Sequence, residues 1–592
     1  MIELPEDFAV LDFIKIVLPY GTNGDGHWSG ICQWPPDLFA AMAAVAERSG
    51  LYSEPTFTSY WLEGRFAPTE KWIKKTRSIG GQWAKTGVPP KEAADFWGML
   101  TKRITDARID DEGRKAEEWK KIVFQLLAIA DEACAGVGFL GQPVKSRQPR
   151  SASSADQDAA PYAQFIFYED FLIWRERWEE EKVRSKREKR SMPQVIGGDQ
   201  LPFLPHSLCK WVNPEVFCVQ PKTSTPTVGY TLRSLTHHIA LLPSIANVTT
   251  HWHIAHKHDD VSHAFNLLLV PFPYSIPGKS FSPVDGTFPG DSKNRVFKLD
   301  PNMWLRRATP NQFARFVKEL MIAANPEMEP VNAVVLPEAA LPLDFAQAVA
   351  EILARSGKLD LFITGVVTGT EANARNSAAI YRFVNGSVID SSFQSKHHRW
   401  GLDEGQIRRY HLGHVLDPHY KWWEQIDVSN RECHVMLFRA NATLSVLICE
   451  DLARYDPVLT VMNAIGPNLV IALLMDGPQL EKRWPGRYAT VLAEDPGSAV
   501  LTLTSMGMVA RSAMPADPQA REIALWKEPT GEARPLRLPK GDHALLLTLT
   551  SELVEQFTLD GRGDGGATAQ FALGAAHPVR HPDPPGWLGP IP

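Results

Sequence analysis

One run of the chain has the residue types of a nucleophilic site: Val446-Leu447-Ile448-Cys449-Glu450-Asp451-Leu452-Ala453-Arg454-Tyr455-Asp456-Pro457. An apolar stretch ends in a cysteine and turns at once to acid and Pro, and its bounded length favours a strand. A thiol on the last residue of such a strand faces the sheet edge, where α/β folds place their chemistry. Taken alone, a cysteine in this position reads as core packing, because free Cys is among the most buried residue types. Two further residues change that reading. Glu338 and Lys396 each stand just after an apolar run, in the order Glu, Lys, Cys, with about half a hundred residues between neighbours. A thiol, a carboxylate and an ammonium together compose an activated nucleophile with its base and a cationic stabiliser.

Such residues need a sheet to hold them, and from residue 262 the pattern supplies one. Phe265–Val270, Ala333–Leu336, Leu361–Val366, Leu469–Leu474 and Val500–Thr504 read as strands. Ala378–Phe383 and Ser387–Ile389 flank Asn385-Gly386, a hairpin signal. Between them lie amphipathic helices. One is opened by Thr309-Pro310-Asn311-Gln312, a capping box with Pro at the first helical position, and buries Phe313, Phe316, Val317, Leu320 and Met321. The next carries Phe345, Val349 and Ile352. Strand–helix–strand units mixed with hairpins predict a layered α/β domain with a mixed sheet. A β-rich tail follows, with Ile523–Trp526 and Ala544–Thr548, then Thr558–Arg562 and a Gly- and Pro-rich end.

Residues 1–250 differ, being rich in Trp and mainly helical in pattern. A helix is expected over Pro36–Ser49, stopping at Gly50, and another near Glu117–Cys134 whose broad apolar face predicts packing on two sides. Residues 151–158 read as a loop and 165–190 as a long helix with a charged second half, a solvated face rather than a nucleic-acid arm. The polar stretch Thr231–His238 reads as the start of a helix without a chemical role. His251, His253, His256 and His258 cluster, followed by Asp259 and Asp260, but no carboxylate or Cys sits among the histidines at ligand spacing, so no functional metal is expected.

Composition bounds the remaining possibilities. At 592 residues the chain should hold two domains and a small extension, and its 44% apolar and 22% charged content is that of an ordinary globular protein. A net charge of −6 gives no general attraction to nucleic acid or anionic membrane. Six scattered cysteines without a Cys-x-x-Cys pair suit a reducing compartment. The acidic N-terminus lacks the order of a secretion signal, and no apolar run approaches the roughly 20 residues of a membrane span. A cytoplasmic protein is expected. No Gly-x-x-x-x-Gly-Lys phosphate loop occurs.

Three blocks taken together resemble the nitrilase, or carbon–nitrogen hydrolase, superfamily: Val335-Leu336-Pro337-Glu338, Ser395-Lys396-His397-His398 and Leu447-Ile448-Cys449-Glu450-Asp451. Asn376-Ser377-Ala378 is similar to a further step of that family, and the resemblance spans roughly Val261 to Pro578. It implies an αββα four-layer sandwich over 262–578, preceded by the helical domain of 1–250 and followed by a Pro/Gly-rich tail at 579–592. Glu338 would be the general base, Cys449 the nucleophile, and Lys396 with the backbone N–H of Glu450 the oxyanion stabilisers. A second glutamate after the lysine is implied, for which Glu404 is the best match, ahead of Asp403 and Glu424. Cys449-Glu450-Asp451 resembles the glutaminase domains of NAD synthetases more than the Cys-Trp-Glu of true nitrilases, which implies a small-molecule amide as substrate, without cofactor or metal. The residues after Thr504 read as a β-rich tail, so no synthetase domain is expected within them. The resemblance also implies a homo-oligomer, a dimer or larger. The helical addition is similar to nitrilase-like domains linked to reverse transcriptases in bacterial anti-phage defence; this chain has no Tyr-x-Asp-Asp motif, so a reverse transcriptase would be a separate partner. Two readings follow. One is a cysteine amidase working through a thioester; the other is an assembly or regulatory module in which the fold serves for oligomerisation or partner binding.

Overall fold

The computed structural model describes residues 9–53, 68–111, 113–135, 207–223, 225, 231–243, 248–254, 264–287, 293–324, 330–356, 359–369, 374–384, 386–429, 431–439, 442–512, 520–556, 558–563 and 566–589. The loop at 151–158, the helix at 165–190 with its basic end, and His256 and His258 lie outside these residues.

Two mixed sheets form the body. In one, the strands run in the order Ser387–Ser395, Arg375–Val384, Leu361–Thr368, Ala333–Val335, Ala264–Leu269, Ala544–Gln556, Gly566–Val579, with the short Leu341–Pro342 paired onto Leu361–Thr368. In the other the order is Arg534–Arg537, Glu522–Lys527, Ala499–Thr504, Leu469–Leu474, Ala442–Ile448, Arg431–Arg439, Val248–Ile254. The sheets pack face to face. Phe438 of the second sheet lies with its ring centroid 5.0 Å from that of Phe265 and 5.7 Å from that of Phe571 on the first. Helices Pro310–Ala324 and Leu343–Ala354 pack together on the outer side of the first sheet, and helix Trp484–Glu494 packs on the second. The result is the αββα sandwich.

Local sequence explains these elements. Ala442–Ile448 and Leu469–Leu474 are buried at every position, as expected of parallel strands covered on both faces. Thr309 opens its helix by accepting from the Gln312 N–H at 3.3 Å, while its own N–H donates to Gln312 Oε1 at 2.9 Å. Gly386, at φ +79°, turns the chain between Arg375–Val384 and Ser387–Ser395, which pair antiparallel.

The N-terminal part has a core of its own. Helix Pro35–Arg48 packs on Gly113–Ala133, which also packs on Glu70–Thr86, so the broad apolar face of the long helix is covered from two sides. Thr69 caps helix Glu70–Thr86 through the Trp72 N–H, and Gly87 ends it at φ +69°. The stretch after Thr231 forms a short capped helix, Leu232–Leu235. Strands Phe217–Pro221 and Ile239–Pro243 pair beside this core, so the region is not helical throughout. Val248–Ile254, before the change of pattern at residue 262, forms the edge of the second sheet, parallel to Arg431–Arg439.

The two cores meet at a buried ionic knot. The Arg562 guanidinium, 1% exposed, donates to Asp131 at 2.9 Å, to Glu132 at 3.1 Å and to Asp560. It also donates to the carbonyls of Ala128 at 2.9 Å and Leu235 at 3.1 Å, and His237 completes the knot 3.0 Å from Asp560.

Candidate active site

Glu338, Lys396 and Cys449, separated in sequence, converge at one end of the sandwich. Each follows its strand: Ala333–Val335, Ser387–Ser395 and Ala442–Ile448. All three are buried.

Lys396 Nζ donates to Glu338 Oε1 at 2.8 Å and to Glu424 Oε2 at 2.7 Å. Asn376 joins the same two acids from the other side, its Nδ2 donating to Glu338 Oε1 and Glu424 Oε1 at 2.8 Å each. The Asn376 carbonyl in turn accepts from the Lys396 N–H at 2.8 Å. Two acidic side chains, one ammonium and one amide thus interlock in the buried interior. Glu338 Oε2 is left without a hydrogen-bond partner of ordinary geometry, and the Cys449 thiol is among the groups acting on this carboxyl.

Electrostatics follow from that packing. Burial raises the Glu338 pKa above the ordinary glutamate value; Lys396 opposes the rise and Glu424 adds to it. Burial would lower Lys396, but Glu338 and Glu424 outweigh it and hold the ammonium charged, well above its usual value. Burial also pushes the Cys449 thiol well up, Glu338 reinforces this, and Lys396 pulls the other way. These directions favour the neutral thiol and raise the proton affinity of the neighbouring Glu338 carboxyl.

The backbone at Cys449 is unusual. Its φ is +44°, a left-handed value that costs a non-glycine residue about 1–3 kcal/mol and is found where a site needs a sharp turn. The turn takes the chain from strand Ala442–Ile448 straight into the short helix Cys449–Ala453. Asp451, buried in that helix, accepts from the His397 N–H at 3.0 and 3.2 Å and pairs with His398 Nδ1 at 3.0 Å. One carboxylate thus ties the cysteine turn to the lysine loop. The Met475 backbone lies against the Cys449 thiol and works against its upward shift. Next to Met475, Asp476 accepts from Tyr410 at 2.7 Å and Arg483 at 2.8 Å.

The structure corrects one assignment. Glu404 is exposed and pairs with Arg408 on a surface helix, Glu404–Arg409. The stretch that suggested it, Asp403–Gln406, is a helix start: Asp403 accepts from the Gln406 N–H at 2.8 Å, and Gln406 Oε1 accepts from the Asp403 N–H at 3.1 Å. Glu424 takes the position beside Lys396. It ends strand Lys421–Glu424 of a separate four-stranded sheet, ordered Gly401–Leu402, Lys421–Glu424, Asn294–Leu299, Phe281–Thr287. Its N–H donates to the Trp400 carbonyl at 2.9 Å, and its Oε2 accepts from the Trp400 N–H at 3.2 Å. The available signal was an acid closing a strand, the placement shared by Glu338 and Cys449. Glu450 follows the cysteine in the chain, and its side chain turns to Arg454 at 2.7 Å.

No family model matches the chain, and no curated protein matches it. Among solved structures, the chain is similar to Nit3 of Saccharomyces cerevisiae, a member of branch 10 of the nitrilase superfamily, at 15% identity over 46% of this chain and 85% of that one, with a TM-score of 0.28. It is also similar to a variant of the nitrilase-superfamily amidase of Nesterenkonia AN1, at 14% identity over 49% and 90%, TM-score 0.30. XC1258 of Xanthomonas campestris, a CN-hydrolase superfamily protein with an arsenic adduct in its active site, has 12% identity over 48% and 90%, TM-score 0.29. The structures it resembles are thus nitrilase-superfamily members. The αββα architecture is defined by the sheet order above, and the contacts of Lys396 and Asn376 with Glu338 and Glu424 by their distances. Among the described residues, no helix is long and apolar enough to cross a membrane.

Proposed function

We propose that this chain is a carbon–nitrogen hydrolase acting on a small non-peptide amide through a thioester on Cys449. The observation that carries the reading is the buried contact of Lys396 with both Glu338 and Glu424, 2.8 and 2.7 Å, beside a cysteine held at φ +44°. Glu338 takes the thiol proton as sulfur attacks the carbonyl carbon. The oxyanion forms against the Lys396 ammonium and the N–H of Glu450, an electrostatic effect worth roughly 3–4 kcal/mol per well-placed donor. Glu338 then returns the proton to the leaving nitrogen, the C–N bond breaks, and ammonia or an amine departs. In the second half Glu338 draws a proton from water, whose oxygen attacks the thioester and releases the carboxylic acid and the thiol. Glu424 keeps Lys396 charged and fixed, and Asn376 holds the two acids in register.

An amide fits better than a nitrile. The acidic pair after the cysteine, Glu450-Asp451, differs from the Cys-Trp-Glu of true nitrilases and supports this preference. The test is ammonia or amine release across a panel of amides and nitriles, with the intact mass of the protein recorded in parallel. Wild type should release amine from at least one amide and carry an acyl adduct that disappears in Cys449→Ala. Equal background from both proteins across the panel would sink the reading.

A further inference from the structure

Away from the cysteine, the fold assembles a second group of polar side chains that no single stretch of sequence contains. The edge strand Val248–Ile254 runs parallel to Arg431–Arg439 with His251 in register with His434. Residues two apart on a strand share a face, so Glu432 joins His434, and His253 joins His251. Donor atoms of His251, Glu432 and His434 all lie within 4.8 Å of one another. The His251 and His434 rings stack with centroids 4.8 Å apart. His434 Nε2 faces Glu432 Oε2 at 3.4 Å, and its Nδ1 lies 2.8 Å from His253 Nε2.

We propose that His251, Glu432 and His434 form a binding site for a divalent ion of the zinc class, with His253 orienting His434 from behind. The site lies outside the hydrolase centre and does not rest on that function.

Three features support it. Two imidazoles and a carboxylate are a zinc donor set, with the fourth position left to water. Next, His251 Nε2 is buried without a hydrogen-bond partner, an arrangement that burial makes costly unless something binds that nitrogen. Finally, the His434–His253 contact has the form of a ligand held by its other ring nitrogen: if His434 Nδ1–H donates to His253, its Nε2 presents a lone pair towards Glu432, and a cation between them removes that repulsion. Bonds of about 2.0 Å in tetrahedral geometry require donor atoms about 3.3 Å apart, so closing on an ion takes a small rotation of half-buried His251 and Glu432.

The position gives the ion a consequence. It would fasten the edge strand, which arrives from the N-terminal half of the chain, to Arg431–Arg439. The Glu432 carbonyl accepts from His397 Nε2 at 2.8 Å, and His397 follows Lys396. An ion on Glu432 would therefore steady the lysine loop from outside the reacting centre.

The test uses the full chain, stripped by chelator and titrated with Zn²⁺ by calorimetry and with Co²⁺ by visible absorption. One ion per chain is expected, with the ligand-field bands of a four- or five-coordinate site and a rise in thermal midpoint on adding Zn²⁺. Affinity should fall about tenfold or more in His251→Ala and in Glu432→Gln, and about 10–100-fold in His253→Ala. Glu432→Gln lies at a partly exposed position and keeps the test meaningful if a histidine variant fails to fold. Cys449→Ala and the double variant His256→Ala, His258→Ala should bind as wild type does. Absence of saturable binding overturns the proposal. So does binding that survives both His251→Ala and Glu432→Gln, or that is lost in Cys449→Ala or in the double variant.

Discussion

Glu338 and Glu424 share one lysine, yet only Glu338 has an oxygen left over for the sulfur, since Glu338 Oε2 has no other partner while both oxygens of Glu424 are engaged. On the proposed mechanism, that asymmetry makes Glu338 the base and Glu424 a positioning group. Glu338→Gln should lose nearly all amine release. Glu424→Gln keeps the shape but removes one of the two charges holding Lys396, and kcat should fall about 10²-fold, in the range found on losing one electrostatic contact at an oxyanion site. Glu404→Gln, on the surface, should be indistinguishable from wild type. Steady-state amine release by the three variants checks this, and a Glu404→Gln defect as large as that of Glu424→Gln would contradict it. The pH profile belongs to the same scale. Glu338 must be ionised to accept the proton, and burial raises its pKa, so the acid limb of kcat/KM should lie above the ordinary glutamate range near 4.3. Cys449 is pushed upward too, so no fall in rate is expected until above the ordinary thiol range near 8.5.

At the scale of elements, the site depends on close backbone approaches. Ala339, directly after Glu338, has φ +51°, and the Gly365 N–H donates to the Pro337 carbonyl at 3.0 Å. A Cβ at Gly365 would stand 2.4 Å from the Ala339 nitrogen and 2.5 Å from the Glu338 Cα, backbone atoms that cannot swing aside. Strand Leu361–Thr368 thus presses directly on the turn that carries Glu338. Gly365→Ala should displace Glu338, lowering kcat far more than it raises KM, and should destabilise the protein by about 1–3 kcal/mol through overpacking. Urea unfolding and steady-state kinetics on the same sample measure both effects, and unchanged kcat would show that this approach does not set the base. The Asp451 link works in the same way between two other elements, carrying the lysine loop on the cysteine turn.

At the scale of the molecule, two cores are joined through Arg562. Removing one member of a buried ionic group leaves the others uncompensated, which costs about 3–5 kcal/mol. Arg562→Met should cost that much, and calorimetry should then resolve separate melting of the two parts; a single unshifted transition would contradict the role given to the knot. The pH dependence has a definite sign. Burial would raise the Asp560 and Asp131 carboxyls, but Arg562 and the neighbouring histidines outweigh it and hold both below the usual aspartate value. Their contribution to stability is therefore fully present above pH about 4 and is lost as pH falls further, through their depressed folded-state values.

Part of the fold was legible in the residues. The buried strands, the capping box at Thr309 and the Asn385-Gly386 hairpin follow from local preferences: periodicity, capping and turn chemistry act over a few residues. Glu338, Lys396 and Cys449 were singled out by residue type and by their place after apolar runs. Even the mistaken Glu404 came from a local pattern, and Asp403–Gln406 turned out to serve a helix cap. What the chain in one dimension left open was who faces whom across sheets. Glu424 reaches Lys396 because a separate small sheet delivers it. Asp131 meets Arg562 across more than four hundred residues. His251 meets Glu432 and His434 because two distant strands pair in parallel, in a register set by the burial of their other faces. Side-chain identity and strand position belong to the sequence. Convergence belongs to the tertiary structure, because it is decided by which surfaces are buried together.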